Sequence, residues 1–449
     1  MTPPPDPATP SRPSTRPVPT PAAPLPSVPA PAPVHPDRPR ITELRLSAFA
    51  GHRRTVLPLG RLTLLAGPSG SGKSSALRAY EALARLGGGA VLGEAFPDPV
   101  VCVPERARPD AQNRRGFRIG CTADGPAGPV RLDLAVQAEP EPRIVGERLT
   151  SGGLVLLETA LRDPGKRAVQ AAWHTGGPTP VTRGPLPDDR LGTALLPLRV
   201  AGRTPGQRRV LGAAEQMVVA LRSVFACDPE PGRMRVPVPA GPGRLLGDCA
   251  NLAEVLWRTR AECGRRHARF VAAVRAGCAG PVADVLAERV GQDLVAGQAR
   301  QGGPTQRAGR VRTGRGGAGG AARPLADGPA LPDGVGAVRA ALDRGDGVRT
   351  DLGRLGDGEL RYLALSLVLL TGPGVLEVDP AGEVPAALQT LTVLADGLDR
   401  AMDPRQRREL LGLAAAMGER GHIRLVGAVS DASWAAGAEG VTVVHLDRD

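Results

Sequence analysis

The octapeptide GPSGSGKS at residues 67–74 constrains this chain more than any other feature. It fits G-x-x-x-x-G-K-[ST] at every specified position and comes directly after an apolar run, Leu62–Ala66, that reads as a buried strand. Residues 74–86 then place Leu77, Tyr80, Leu83 and Ala84 on one helical face, and the glycines at 87–89 end the helix. A tight loop between strand and helix is the setting in which such a sequence binds phosphate. Gly67, Gly70 and Gly72 let the backbone bend until its N–H groups point at one anion, and the helix adds its positive N-terminal end. Lys73 is expected to reach the β- and γ-phosphates of a nucleotide and the Ser74 hydroxyl to ligate Mg²⁺, while Pro68, Ser69, Ser71 and Ser75 complete the cradle. Lys73 is one of only two lysines among 57 basic residues. The loop keeps a compact point charge in a chain where arginine is otherwise the rule.

The remaining sequence shows what surrounds the loop. Residues 1–38 are mostly Pro, Ala, Ser and Thr, a composition that favours extended, disordered chain and buries no core. Residues 297–335 form a second low-complexity stretch, rich in Gly and Arg, that reads as a linker. Between them, Ile41, Leu44, Leu46 and Phe49 mark a strand. Residues 116–159 alternate as a small antiparallel meander with turns at Asp124-Gly125 and Gly152-Gly153. Residues 211–290 have helical spacing, as in Leu252, Val255 and Leu256, and from about residue 352 helix and strand patterns alternate again. The expected architecture is therefore α/β. Its first lobe spans residues 39–165, a mainly helical basic insert 166–296, the linker 297–335 and a second lobe 336–449.

Composition limits the function. With 5 Phe, 3 Trp and 2 Tyr in 449 residues the core must be built from Leu, Val and Ala, and aromatic stacking on bases is not expected. The net charge of +12 accompanies 59 Gly and 47 Pro, the signature of a GC-rich genome, so it does not by itself mean nucleic acid. Its distribution is more telling. Residues 201–330 carry 20 basic and 10 acidic side chains, whereas residues 331–449 carry 12 and 18. Six cysteines show no C-x-x-C pair and no metal-ligand spacing with the six histidines, so reduced structural thiols in a cytoplasmic protein are expected. No signal pattern opens the chain, and the longest apolar stretch, residues 362–370, is too short for a bilayer, so no membrane partner is expected.

The C-terminal third decides the class of nucleotide protein. LGDGELRYLALSLVLL at residues 355–370 resembles the signature segment of ABC-type ATPases, in the LSDGE form of the RecF, OLD and structural-maintenance-of-chromosomes (SMC) relatives. RIVGERL and the hairpin after it, residues 143–157, is similar to the first-lobe meander of that AAA/ABC-type group. GDCANLAEVL, residues 247–256, is similar to its G-x-N-L helix between the lobes. The resemblance covers roughly residues 41–446 and implies a P-loop NTPase with an ABC-ATPase-like two-lobed head. It also implies ATP and Mg²⁺ as cofactors and closure of an ATP-dependent homodimer. In that dimer Gly356, Gly358 and Glu359 open a helix whose N-terminus caps the γ-phosphate held by the partner, with Gly356 in place of the usual contacting serine.

Two residues compete as the Walker B aspartate. Spacing from the signature favours Asp379, in GVLEVDP. The downstream sequence favours Asp396, because Asp403 lies 7 residues on, where the family has its D-loop aspartate, and Asp403-Pro404 makes a helix start. Asp396 is preferred, as both catalytic and metal-binding residue. Gly397 then stands where the family has its water-polarising glutamate and Ser430 where it has its switch histidine, so slow hydrolysis is expected. Asp399, or Glu383, is the candidate replacement carboxylate, and Gln112 the candidate Mg²⁺-sensing glutamine. The resemblance also suggests DNA, met through the basic insert, or a protein partner. The alternative is a scaffold that binds ATP without hydrolysing it. No Toprim nuclease domain is expected.

Overall fold

The computed structural model describes residues 38–290, 336–378 and 389–447. The Pro-rich tail up to residue 37, the 297–335 linker, Asp379 and Glu383 lie outside the described residues. The chain opens with a hairpin, β1 (Arg40–Phe49) and β2 (His52–Pro58), followed by β3 (Leu62–Ala66) and α1 (Lys73–Gly87). Six strands then succeed one another: β4 (Arg115–Asp124), β5 (Val130–Glu139), β6 (Arg143–Ser151), β7 (Leu154–Ala160), β8 (Ala168–His174) and β9 (Val181–Pro187). With the hairpin they make one eight-stranded sheet in the order β2-β1-β4-β5-β6-β7-β8-β9.

This sheet is larger than the small meander expected from the sequence, and the expected boundary at residue 165 falls inside it. β7 and β8 pair antiparallel from Leu157↔Trp173 to Ala160↔Gln170. The cause is legible in β8 itself, where buried Val169, Ala171 and Trp173 alternate with half-buried neighbours, the period of a strand covered on one face. The described residues of the expected 166–296 insert, up to 290, are likewise not mainly helical. They hold α2 (Pro205–Arg222), α3 (Leu252–Glu262) and α4 (Gly264–Gly277), but also β8, β9, β10 (Val224–Cys227), β11 (Val238–Pro239) and β12 (Asp284–Arg289). The start of α2 is fixed by a capping box in which the Thr204 hydroxyl accepts from the Gln207 N–H, with Pro205 in the first turn. A small antiparallel sheet joins β11 and β12 to β13 (Ala337–Asp343), with β14 (Arg349–Asp351) on β13.

The second lobe supplies α5 (Asp357–Leu370), β15 (Leu391–Ala395), α6 (Pro404–Glu419), β16 (Ile423–Val429) and β17 (Val441–His445). β3 joins it in a five-stranded parallel sheet ordered β10-β15-β16-β3-β17. β3, β15 and β16 are buried along their whole length, as parallel strands covered on both faces must be. Leu62, Leu64 and Ala66 pack into one core with Leu360 and Leu363 of α5 and Leu410 of α6. Leu65 points the other way, into a core with Ala79 and Leu83 of α1 and Phe117 of the meander. The expected α/β class with an antiparallel meander is thus present, wound around the phosphate-loop strand. All six cysteines are free thiols, five of them buried, and among the described residues no helix is long and apolar enough to cross a membrane.

Candidate nucleotide site

Open parallel sheets present ligand sites beyond the carboxyl ends of their strands. Here those ends deliver the 67–74 loop after β3, Asp228 after β10, Asp396 after β15 and Ser430 after β16. α1 starts from Gly72, whose φ of +94° is open to glycine at little cost. A Cβ on Gly72 would also fall 2.6 Å from Nε2 of His52. That imidazole, 4% exposed, makes hydrogen bonds through Nε2 to the Gly72 carbonyl (3.0 Å) and through Nδ1 to the Thr55 hydroxyl (3.1 Å). Because a carbonyl only accepts, Nε2 carries the hydrogen. His52 therefore braces the turn that aims the loop, a role that nothing in the sequence signalled. The Lys73 ammonium lies over the loop and donates to the carbonyls of Gly67 (2.6 Å) and Pro68 (2.8 Å).

Beside the loop a cleft of about 310 Å³ is lined by both Ser74 and Asp396, with Asp228, Glu230 and Asp248 also lining it. Larger hollows of about 530 and 490 Å³ lie against the eight-stranded sheet, and one of about 590 Å³ lies beside the C-terminal end of α1; none of the three is lined by a phosphate-loop residue. Asp228 and Glu230 are held in the cleft by backbone bonds from their N–H groups to the carbonyls of Gly247 and Asp248, both 2.9 Å. The Asn251 side chain fixes that second segment, accepting from the Leu246 N–H (3.0 Å) and donating to the Arg244 carbonyl (2.8 Å). Its placement explains the asparagine in GDCANLAEVL. Asp228 was missed because its strand is only four residues long and its neighbour in the sheet lies far along the chain; the sole local sign is the apolar VFAC ahead of Asp-Pro.

Among the described residues no three His, Cys, Asp or Glu side chains form a ready metal cage. A hydroxyl and a carboxylate, from Ser74 and Asp396, are instead the hard oxygen donors that Mg²⁺ accepts beside phosphate and water. The loop, the ammonium and these donors fit a magnesium-bound nucleotide.

Other expected residues sit elsewhere. Gly356, Gly358 and Glu359 begin α5 and do not line the cleft. Glu359 accepts from the Gly356 N–H (3.4 Å) and the Ala279 N–H (3.1 Å), and Gly358 backs directly onto the Ala401 carbonyl, where any side chain would collide. Asp403 caps α6 as expected, accepting from the Gln406 N–H at 2.8 Å. Asp399 departs from expectation. It is 8% exposed, and one carboxylate oxygen accepts from both the Ser430 N–H (3.2 Å) and the Ser430 hydroxyl (2.8 Å), so it ties two strand ends together and does not line the cleft. Gln112 is a second correction. It is exposed in the turn before β4, where its oxygen accepts from Arg114 (2.9 Å) and its N–H donates to Asp110 (2.9 Å). That turn serves the antiparallel sheet, not the strand ends that carry Ser74 and Asp396.

No family model matches the sequence, and no curated protein matches it. Solved structures similar to this chain include an SMC head bound to the C-winged helix domain of ScpA, 10% identical over 90% of this chain and 94% of that one, with a TM-score of 0.45. An SMC head domain from Thermotoga maritima is 11% identical over 90% and 94%, with a TM-score of 0.39. The recombination mediator protein RecF of the RecFOR pathway is 11% identical over 92% and 99%, with a TM-score of 0.35. The solved structures similar to this chain thus include SMC head domains and RecF.

Proposed function

We propose that this protein is an ATP-binding switch of the ABC type, in which nucleotide closes a homodimer and slow hydrolysis reopens it. The observation that carries the reading is the meeting of Ser74 and Asp396 in one cleft beside a loop crossed by Lys73. The loop N–H groups and the N-terminal end of α1 neutralise phosphate charge, and Lys73 adds a positive point charge. Ser74 and Asp396 would hold Mg²⁺, which when bound offsets phosphate charge and orients the phosphate oxygens. Gly356, exposed at the start of α5 and away from this cleft, is free to face a nucleotide held by a second copy. DNA, met by the basic 201–330 segment, or a protein would then sense the closed state.

Two features favour slow turnover. Gly397 offers no carboxylate after Asp396, and Asp399 is engaged with Ser430. The same features favour a second reading, a nucleotide-gated scaffold that does not hydrolyse ATP. Phosphate release and sedimentation velocity, each with ATP and Mg²⁺ and with DNA titrated in, test both. Dimerisation on ATP with slow release is the expected result, and dimerisation with no release selects the scaffold. A protein that stays monomeric with saturating ATP contradicts the switch in either form.

A further inference from the structure

Arg361, at the start of the second turn of α5, is 2% exposed. Its Nη1 donates to Oδ1 of Asp228 (2.9 Å) and to the Pro229 carbonyl (2.6 Å), while Nη2 donates to the carbonyls of Asp396 and Gly397, both 3.0 Å. One guanidinium thus joins three segments: the helix that opens with the signature, the end of β10 and the turn after β15. The last two each place a carboxylate in the nucleotide cleft, Asp228 and Asp396. The Asp228 carboxylate is held by one oxygen. Its other oxygen, Oδ2, has no hydrogen-bond partner among the described residues, and the side chain is 46% exposed. A buried charge is costly unless its geometry is well met, and the planar fork of arginine meets four acceptors here where lysine could not.

We infer that Arg361 is a positioning residue for the nucleotide cleft. It holds the Asp228 carboxylate and the Asp396 backbone in register, so that the cleft accepts magnesium-bound nucleotide fully only while α5 is seated. The inference rests on the ATP-binding reading and deepens it, because coupling of this kind is reciprocal: a nucleotide that favours the aligned cleft also favours the seated helix. Arg361 does not itself line the cleft; it acts through Asp228 and Asp396, which do, and groups that support ligands in this way typically alter metal affinity by roughly 10–100-fold when removed.

The test is equilibrium titration of the full chain with a fluorescent ATP analogue, once with Mg²⁺ and once with a chelator, for the native protein, R361M, R361K and D228N. The readout is the ratio of the two affinities, with thermal melting followed in parallel. A merely structural arginine lowers the melting temperature and leaves the ratio alone. The expected result is a ratio reduced about tenfold or more in R361M and D228N, with partial recovery in R361K. D228N keeps the shape and an acceptor for Arg361, so it carries the test if R361M does not fold. Native ratios in D228N and in any folded R361M overturn the inference. If the native protein shows no Lys73-dependent ATP binding, the inference and the proposed function fall together; if binding is present but the ratios do not move, only the inference falls.

Discussion

Replacing Gly72 with alanine tests the coupling between β2 and the phosphate loop. The backbone there has φ +94°, and the new Cβ would fall 2.6 Å from Nε2 and 2.7 Å from Cε1 of His52. Holding an L-residue in the left-handed region costs roughly 1–2 kcal/mol. Moving the buried ring gives up its bonds to the Gly72 carbonyl and the Thr55 hydroxyl, at about 1 kcal/mol each. The expected loss of unfolding free energy is therefore about 3–4 kcal/mol, read by urea denaturation. Gly89 is the matched control: its φ is +97°, but a Cβ there meets nothing within 4 Å, so Gly89→Ala should show only the strain, about 1–2 kcal/mol. Removing the ring first should relieve the clash. His52→Ala combined with Gly72→Ala is thus expected to cost about 1–2 kcal/mol less than the sum of the single changes. A Gly72→Ala loss no greater than that of Gly89→Ala, or strict additivity in the double variant, would refute the argument.

Gly397→Glu restores a glutamate after Asp396, yet φ is +56° and the new Cβ would meet Nε of Arg400 at 2.8 Å. The variant should lose about 1–2 kcal/mol of stability and release phosphate no faster than the native protein; a tenfold gain in rate would show that the backbone tolerates the residue in a working pose. Glu147 is fully buried, and although it accepts from the N–H groups of Gly192 (2.6 Å) and Thr193 (2.7 Å), burial is the larger influence and raises its pKa above the ordinary 4.5. A carboxyl whose folded value lies above its unfolded one contributes stability that is full below the unfolded value and lost as pH rises through the folded one. The stability difference between native protein and Glu147→Gln, from urea unfolding across pH, should therefore narrow as pH rises from below 4.5 towards neutrality, and a difference that widens would contradict it.

The loop and its two flanking elements were legible because their signals are local. An apolar run, a fixed spacing of glycines and a helical face predict a strand over Leu62–Ala66 and a helix from about residue 74, and the structure has that strand and a helix over Lys73–Gly87. The Asp403-Pro404 helix start was visible for the same reason. The features that remained hidden depend on pairing across distance. β10 is four residues long and becomes meaningful only when it lies parallel to β15, which is what brings Asp228 into the cleft. Arg361 reads as one more arginine in an arginine-rich chain until the fold surrounds it with four acceptors. The meander was underestimated because β8 and β9 come after a break in the pattern beyond β7, although β8 alternates as clearly as the strands before it. Gln112 and Asp399 show the converse: each has suitable chemistry in the sequence, but the fold engages one in a surface turn and the other with Ser430.

The central claim, that residues 67–74 bind ATP with Lys73 as their charged contact, is tested most directly by equilibrium ATP binding to the native protein and to Lys73→Ala in the presence of Mg²⁺. Hydrogen bonds to a charged group contribute about 1.5–3 kcal/mol, so the account predicts a loss of affinity of roughly 10- to 150-fold with the melting temperature little changed. Equal affinity in the two proteins, or no binding by the native one, would contradict it.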